Sequence, residues 1–343
     1  MVTPNIVTAN DLAWGFIIDL MKSVVRRPSI GIRTGPFVLF CGMLALLPML
    51  CGLAQAAPRL LFVGNSFLYG AGSAVRFYRA DTVTDLNGDG VGAVPALVKS
   101  FFQQQGLDID VSLELKGGSN FDFHATQRQD LLQKSWDWVV MHGYSTLDAQ
   151  RPRDPTRLID GAKQVASLLR VGNPKVHIHL LSTWSRADQV YRAGGAWAGR
   201  PIEAMALDLR AAYDQAAVVA DAMGVIPVGQ AWNRAFALGI ADPNPYDGIA
   251  AGQINLWAAD HYHASDRGYY LEALVIFGHL SGIDPRTLGA GECSAFELGL
   301  STEEAQALQR VAYEELAAAP GRAPLRPGSK PPPSRPARCG APR

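Results

Sequence analysis

Arg59-Leu60-Leu61-Phe62-Val63-Gly64-Asn65-Ser66-Phe67 decides the fold. A short apolar run that ends in Gly-Asn-Ser reads as a buried strand delivering a serine into a sharp turn. About 200 residues later comes Asp260-His261-Tyr262-His263-Ala264-Ser265, which places an acid and a base three positions apart ahead of a helical pattern. A serine hydroxyl is a poor nucleophile until a neutral imidazole takes its proton, and a carboxylate must fix the imidazole's tautomer. Ser66, His263 and Asp260 supply those three groups. The alternative is structural, with Asn65 and Ser66 capping the next helix and the histidines in a surface loop.

The order Ser, then Asp-x-x-His, with the serine after the first strand, resembles the SGNH (GDSL-like) hydrolase superfamily, in its Gly-Asn-Ser variant, over residues 59 to 285. The resemblance implies a serine esterase working through an acyl-enzyme and selects His263 over His261 as base. It also implies an oxyanion hole built from the backbone N–H of Ser66 and from Gly118 in Gly117-Gly118-Ser119-Asn120. The family's third block, Gly-x-Asn-Asp, is replaced by Met141-His142-Gly143-Tyr144-Ser145. The remaining donor is then His142 through its ring or, alternatively, Asn120.

Working outward, strand-like runs fall near 59–64, 108–115, 137–142, 175–182 and 224–228. Helical patterns fall near 93–105, 155–170, 201–223, 265–280 and 301–317. That alternation predicts a three-layer α/β/α sandwich on a mostly parallel sheet of about five strands, flavodoxin-like in layering, with the site at the carboxyl ends. Ser265 or Asp266 is the expected cap of the helix after His263.

The chain has 343 residues, 48% hydrophobic and 18% charged, enough to bury a large core. Its net charge of zero conceals segregation. Residues 1–56 carry four bases and two acids, residues 320–343 six bases and no acid, and residues 57–319 carry 21 bases against 29 acids. So acidic a domain argues against nucleic acid as a partner, since phosphate binding needs a basic face.

Lys22, Arg26, Arg27 and Arg33 precede an apolar stretch from Pro36 to Ala54 and then Ala54-Gln55-Ala56, the pattern of a signal peptide with its cleavage site. Met21 opens a more conventional signal than Met1, so residues 1–56 divide into a misassigned start plus a signal, or form an N-terminal anchor. Cleavage implies a periplasmic or secreted protein with no stable membrane span. Cys293 and Cys339 then either pair in an oxidising compartment or remain thiols. The tail, 320–343, has eight prolines and is expected to be disordered.

Asp85-Leu86-Asn87-Gly88-Asp89-Gly90 alternates oxygen ligands as a calcium loop does, but Ala96 stands at the twelfth position. Asp85, Asn87 and Asp89 are a candidate structural calcium site or a polar turn. No cofactor is required by the expected chemistry. Residues 183–200, with Trp184, Arg186, Tyr191 and Trp197, and 242–257, with Tyr246 and Trp257, either offer aromatic faces to sugar rings or pack under long loops. Asn65, Trp184 and Arg186 are the candidate substrate contacts. The expected substrate is a short-chain ester, acetyl among the candidates, of a carbohydrate or small molecule. A lipase or thioesterase, and a non-catalytic carbohydrate-binding module on the same fold, are the alternatives.

Overall fold

The computed structural model describes residues 56–319, 323–328 and 339. The signal, anchor and start-site expectations fall outside these residues. Among the described residues no helix is long and apolar enough to cross a membrane.

Six strands form one parallel sheet: β1 (Arg59–Gly64), β2 (Thr84–Asp85), β3 (Asp110–Leu115), β4 (Trp138–Met141), β5 (His177–Ser182) and β6 (Gly224–Pro227). Their order is β2-β3-β1-β4-β5-β6. Helices cover both faces, so the central strands are apolar on both sides; Leu60 to Val63 and Val139 to Met141 are fully buried. The helices are α1 (Ala93–Gln104), α2 (Phe121–Gln127), α3 (Gln129–Leu132), α4 (Thr156–Gly172), α5 (Ala187–Tyr191), α6 (Glu203–Val219), α7 (Val228–Ala237), α8 (Asp266–Ser281), α9 (Cys293–Glu297) and α10 (Thr302–Ala317). Helices α1 and α10 pack on α8, and α2 and α6 pack on α4.

The expected α/β sandwich is present, with one strand more than expected. β2 is a two-residue edge strand paired to Ser112 and Leu113, too short to show as a pattern. Five helices were not expected: four of at most seven residues, too short to show a period, and α7, which begins where a strand was expected to end. Gly229 lets α7 close on the sheet, because a Cβ there would stand 2.2 Å from the Thr183 carbonyl oxygen.

The chain passes from β3 on one side of β1 to β4 on the other. The carboxyl end of β1 is thus a topological switch point, where the loops after adjacent strands diverge and leave a crevice. The register aligns Gly64 with Leu115, and Val63 with Met141, so the loops after β1, β3 and β4 leave the sheet at one level.

Of the tail, residues 323–328 and 339 are described. Arg326 N–H donates to Gly282 O and Asp284 N–H to Arg326 O, both at 2.9 Å, laying residues 323–328 beside the end of α8. Cys293 and Cys339 are joined in a disulfide across 46 residues.

Candidate active site

The turn after β1 is built by Asn65. Its Nδ2 donates to Ser119 O at 2.9 Å and to Gly143 O at 3.0 Å, while its Oδ1 accepts from Phe67 N–H at 3.3 Å. One buried amide therefore ties the loops after β1, β3 and β4 together and presents Ser66 at the crevice. This corrects the expectation that Asn65 contacts substrate: both amide hydrogens are spent on main-chain carbonyls and the side chain is 3% exposed.

Ser66 Oγ lies 2.8 Å from His263 Nε2, and His263 Nδ1 lies 2.6 Å from Asp260 Oδ2. The Asp260 Oδ1 atom accepts from the backbone N–H groups of Tyr262 and His263, at 3.1 and 2.9 Å, which clamps the carboxylate against its own loop. Ser265 caps α8 through Gly268 N–H, holding the loop at the helix entrance. Asp266 instead receives Ser73 Oγ and Ala74 N–H, bracing this loop against the segment after Ser66. Tyr269 at the first turn of α8 donates its hydroxyl to Ser66 O at 3.2 Å and Ala71 O at 3.1 Å.

Burial pushes the His263 imidazole below its ordinary value and outweighs the opposing pull of the Asp260 carboxylate. Burial would raise Asp260, but hydrogen bonds from the His263 ring and the two backbone amides hold it below the usual carboxylate range. The resting state this favours is a neutral imidazole beside an ionised carboxylate, as a serine-activating base requires.

Among the described residues, neither the Ser66 N–H nor the Gly118 N–H has a hydrogen-bond acceptor. Gly118 has φ +72°, in the left-handed region, and a Cβ there would meet nothing within 4 Å, so its backbone is open. Asn120 caps α2: its Oδ1 accepts from Phe121 N–H at 2.9 Å and Tyr144 N–H at 3.2 Å, which fixes the amide and leaves Nδ2 as a donor without an acceptor among these residues.

His142 is not a ring donor to the crevice. Its Nε2 accepts the Asn65 backbone N–H at 3.3 Å, and burial pushes its pKa down to about 3. The ring lies under the turn: a Cβ on Gly64 would come within 2.5 Å of it. With Nε2 accepting, the ring hydrogen of His142 sits on a buried Nδ1, so of the two candidates for the third donor Asn120, which is partly exposed, is the one that offers a hydrogen beside the crevice.

Trp184 is fully buried, stacked on Trp232 at 4.6 Å and 6°, and donates Nε1–H to Tyr262 O at 3.0 Å. It supports the His263 loop from beneath and offers no face to a ligand, a correction to its expected role. Trp197 and Trp257 are likewise buried, whereas Tyr191 and Tyr246 are exposed and Tyr246 packs edge-on against His261 at 4.5 Å. Arg186 is held by Asp188 and by Ser145 Oγ at 3.1 Å, with its guanidinium 4.2 Å from the Tyr262 ring centre.

Each candidate calcium ligand accepts a hydrogen bond from a neighbouring group. Asp85 accepts the N–H groups of Asn87 and Val91, Asn87 Oδ1 accepts Leu115 N–H at 2.8 Å, and Asp89 accepts the Tyr69 hydroxyl. Asn87 thereby fastens the turn after β2 to β3. Among the described residues no group of three or more His, Cys, Asp or Glu is arranged to hold a metal ion.

A cavity of about 340 Å³ opens beside this crevice, lined by Lys116, Gly118, Asn120, Tyr144, Gln150 and Arg157 among others. The reading from sequence missed a buried Glu114–His124–Ser119 chain under that loop; its signal was a glutamate inside an apolar strand.

No protein-family model and no curated protein matches the sequence. Among solved structures, a DUF4886 family protein from Bacteroides uniformis is 14% identical, with a TM-score of 0.54 over 78% of this chain and 98% of its own. A protein from Slackia heliotrinireducens, provisionally assigned as an SGNH hydrolase, is 21% identical, with a TM-score of 0.45 over 65% of this chain and 99% of its own. A catalytic mutant of an acetylxylan esterase from Geobacillus stearothermophilus is 16% identical, with a TM-score of 0.42 over 64% and 92%. The chain is thus similar in fold to the DUF4886 family protein. At these identities the likeness concerns the fold alone.

Proposed function

We propose that the protein is a serine ester hydrolase of the SGNH type. The observation that carries this reading is the unbroken chain from Ser66 Oγ through His263 to Asp260, at 2.8 and 2.6 Å. His263 Nε2 removes the hydroxyl proton as Ser66 Oγ attacks the ester carbonyl, and Asp260 keeps the other ring nitrogen protonated. The oxyanion is met by the N–H groups of Ser66 and Gly118 and by Asn120 Nδ2. Collapse expels the alcohol, which takes the proton from His263; water then releases the acid from Ser66 by the same route in reverse.

The hydrogen-bonding side chains of Lys116, Asn120, Gln150 and Arg157 around the neighbouring cavity, and the exposed Tyr191 and Tyr246 rings, favour a hydroxyl-rich alcohol such as a carbohydrate carrying a short acyl group, acetyl first. A long acyl chain would ask for a continuous apolar trough, whereas this lining interleaves Phe123 and Ala149 with polar groups, so lipase activity ranks behind. The non-catalytic alternative drew on the altered third block, and Asn120 offers a donor in its place. Export fits the Cys293–Cys339 disulfide, because such bonds persist in oxidising compartments.

Hydrolysis of p-nitrophenyl acetate, butyrate and octanoate by protein beginning at Ala57 tests the reading. The wild type is expected to prefer acetate, and Ser66→Ala and His263→Ala to lose at least about 1000-fold in kcat. Equal background rates for all three proteins would reject the nucleophile.

A further inference from the structure

A second serine–histidine–carboxylate chain lies wholly beneath the site. Glu114, in the middle of an apolar strand and opposite Val63 of β1, is fully buried. A carboxylate taken out of water is costly unless donors surround it. Here three converge from three different elements: His124 Nδ1 from α2, Asn87 Nδ2 at 3.3 Å from the turn after β2, and Arg128 Nε at 3.4 Å from the start of α3. His124, also fully buried, turns its other nitrogen to Ser119 Oγ at 2.9 Å, and that hydroxyl stands 3.5 Å from Gly64 O.

Ser119 is thereby gripped at both ends. Its side chain is fixed from below by the buried chain, while its carbonyl accepts Asn65 Nδ2 and its N–H donates to Lys116 O at 3.1 Å. The residue directly before it is Gly118, whose left-handed backbone has no Cβ contact of its own to hold it. Only Ser119 and the Lys116 turn define where the Gly118 N–H points.

We infer that Glu114, His124 and Ser119 act as positioning residues that hold the Gly117–Gly118 loop in register with Ser66, so that the Gly118 N–H meets the oxyanion. This rests on the assignment of Ser66 and Gly118 above. Glu114 and His124 are closed to solvent and the Ser119 hydroxyl is engaged by the His124 ring and Gly64 O, so the chain holds geometry and does not attack substrate. A misplacement of about 1 Å near reacting atoms costs on the order of 100-fold in rate, which is why so buried a device matters to catalysis.

The test compares Ser119→Ala, His124→Gln and Glu114→Gln in two readouts. In turnover of p-nitrophenyl acetate, Ser119→Ala is expected to lower kcat about 10- to 100-fold with KM within about twofold, since only transition-state contacts are loosened. Glu114→Gln, which retains an acceptor for His124 Nδ1, is expected to keep most of the activity that His124→Gln loses. In amide hydrogen exchange, Ser119→Ala is expected to speed exchange at residues 116–120 at least tenfold while β1 and α8 keep their protection. Wild-type kcat together with wild-type exchange in Ser119→Ala and His124→Gln would overturn the inference. An inactive wild type whose loop still loosens in these variants would instead remove the esterase reading and leave the loop-holding role in place.

Discussion

At the scale of single residues, the site depends on two side chains whose protonation and donor pattern are fixed by surroundings. Burial lowers the His263 pKa, so the neutral base persists to lower pH than for an exposed histidine. The acid limb of the kcat/KM profile is therefore expected to have its midpoint below 6.5, the ordinary value, with activity rising as pH increases through it. Asp260→Asn removes the charge that opposes this depression and allows the wrong tautomer, so it is expected to move the limb further down and to lower kcat by about 1000-fold or more; a pH–rate series on both proteins checks it. Asn65 gives a sharper contrast. An aspartate could not take its place, because here the side chain must donate to two carbonyls. Asn65→Asp is expected to cost roughly 2–4 kcal/mol at neutral pH, measured by urea unfolding, because two buried acceptors lose their donor and face a carboxylate.

At the scale of elements, β1 and its turn set the tolerances. A Cβ on Gly64 falls 2.5 Å from His142 Cδ2 and 2.6 Å from Nε2. Gly64→Ala is expected to cost about 1–3 kcal/mol, and the Gly64→Ala, His142→Ala pair less than the sum of the singles, which a double-mutant cycle in urea would show. This scale also shows what could be read in the sequence. β1 with Ser66, and the Asp260–His263 loop ahead of α8, were legible because each is local: an apolar run into a turn, and an acid three positions before a base. Asn65, Trp184 and His142 were misplaced, since polarity and aromaticity do not say whether a side chain faces the crevice or the packing beneath it. α7 was missed because its fit against the sheet depends on Gly229 and Thr183, which meet only in three dimensions. The same holds for Glu114, His124 and Ser119.

At the scale of the molecule, the last described residues are fastened to the domain. The Cys293–Cys339 bond closes a loop of 46 residues and so restricts the unfolded chain. Reduction, or Cys339→Ser, is expected to lower stability by about 2–4 kcal/mol, seen as a shift in denaturant midpoint with and without dithiothreitol. The crevice at Ser66 is fixed by the sheet and its switch point, so the same treatment is expected to leave kcat on p-nitrophenyl acetate within about twofold under native conditions.

The buried aromatic column under the site has an optical consequence. Trp184 and Trp232 lie nearly parallel at 4.6 Å, with Phe67 on the other side of Trp184, next to Ser66, and the Trp184 indole N–H on the Tyr262 carbonyl of the His263 loop. Two indoles so arranged couple their transitions, and the coupling depends on their mutual angle. A shift of the His263 loop when Ser66 is acylated would act on Trp184 directly through that hydrogen bond. The near-ultraviolet circular dichroism of the native protein thus carries a built-in gauge of that loop, readable without a label.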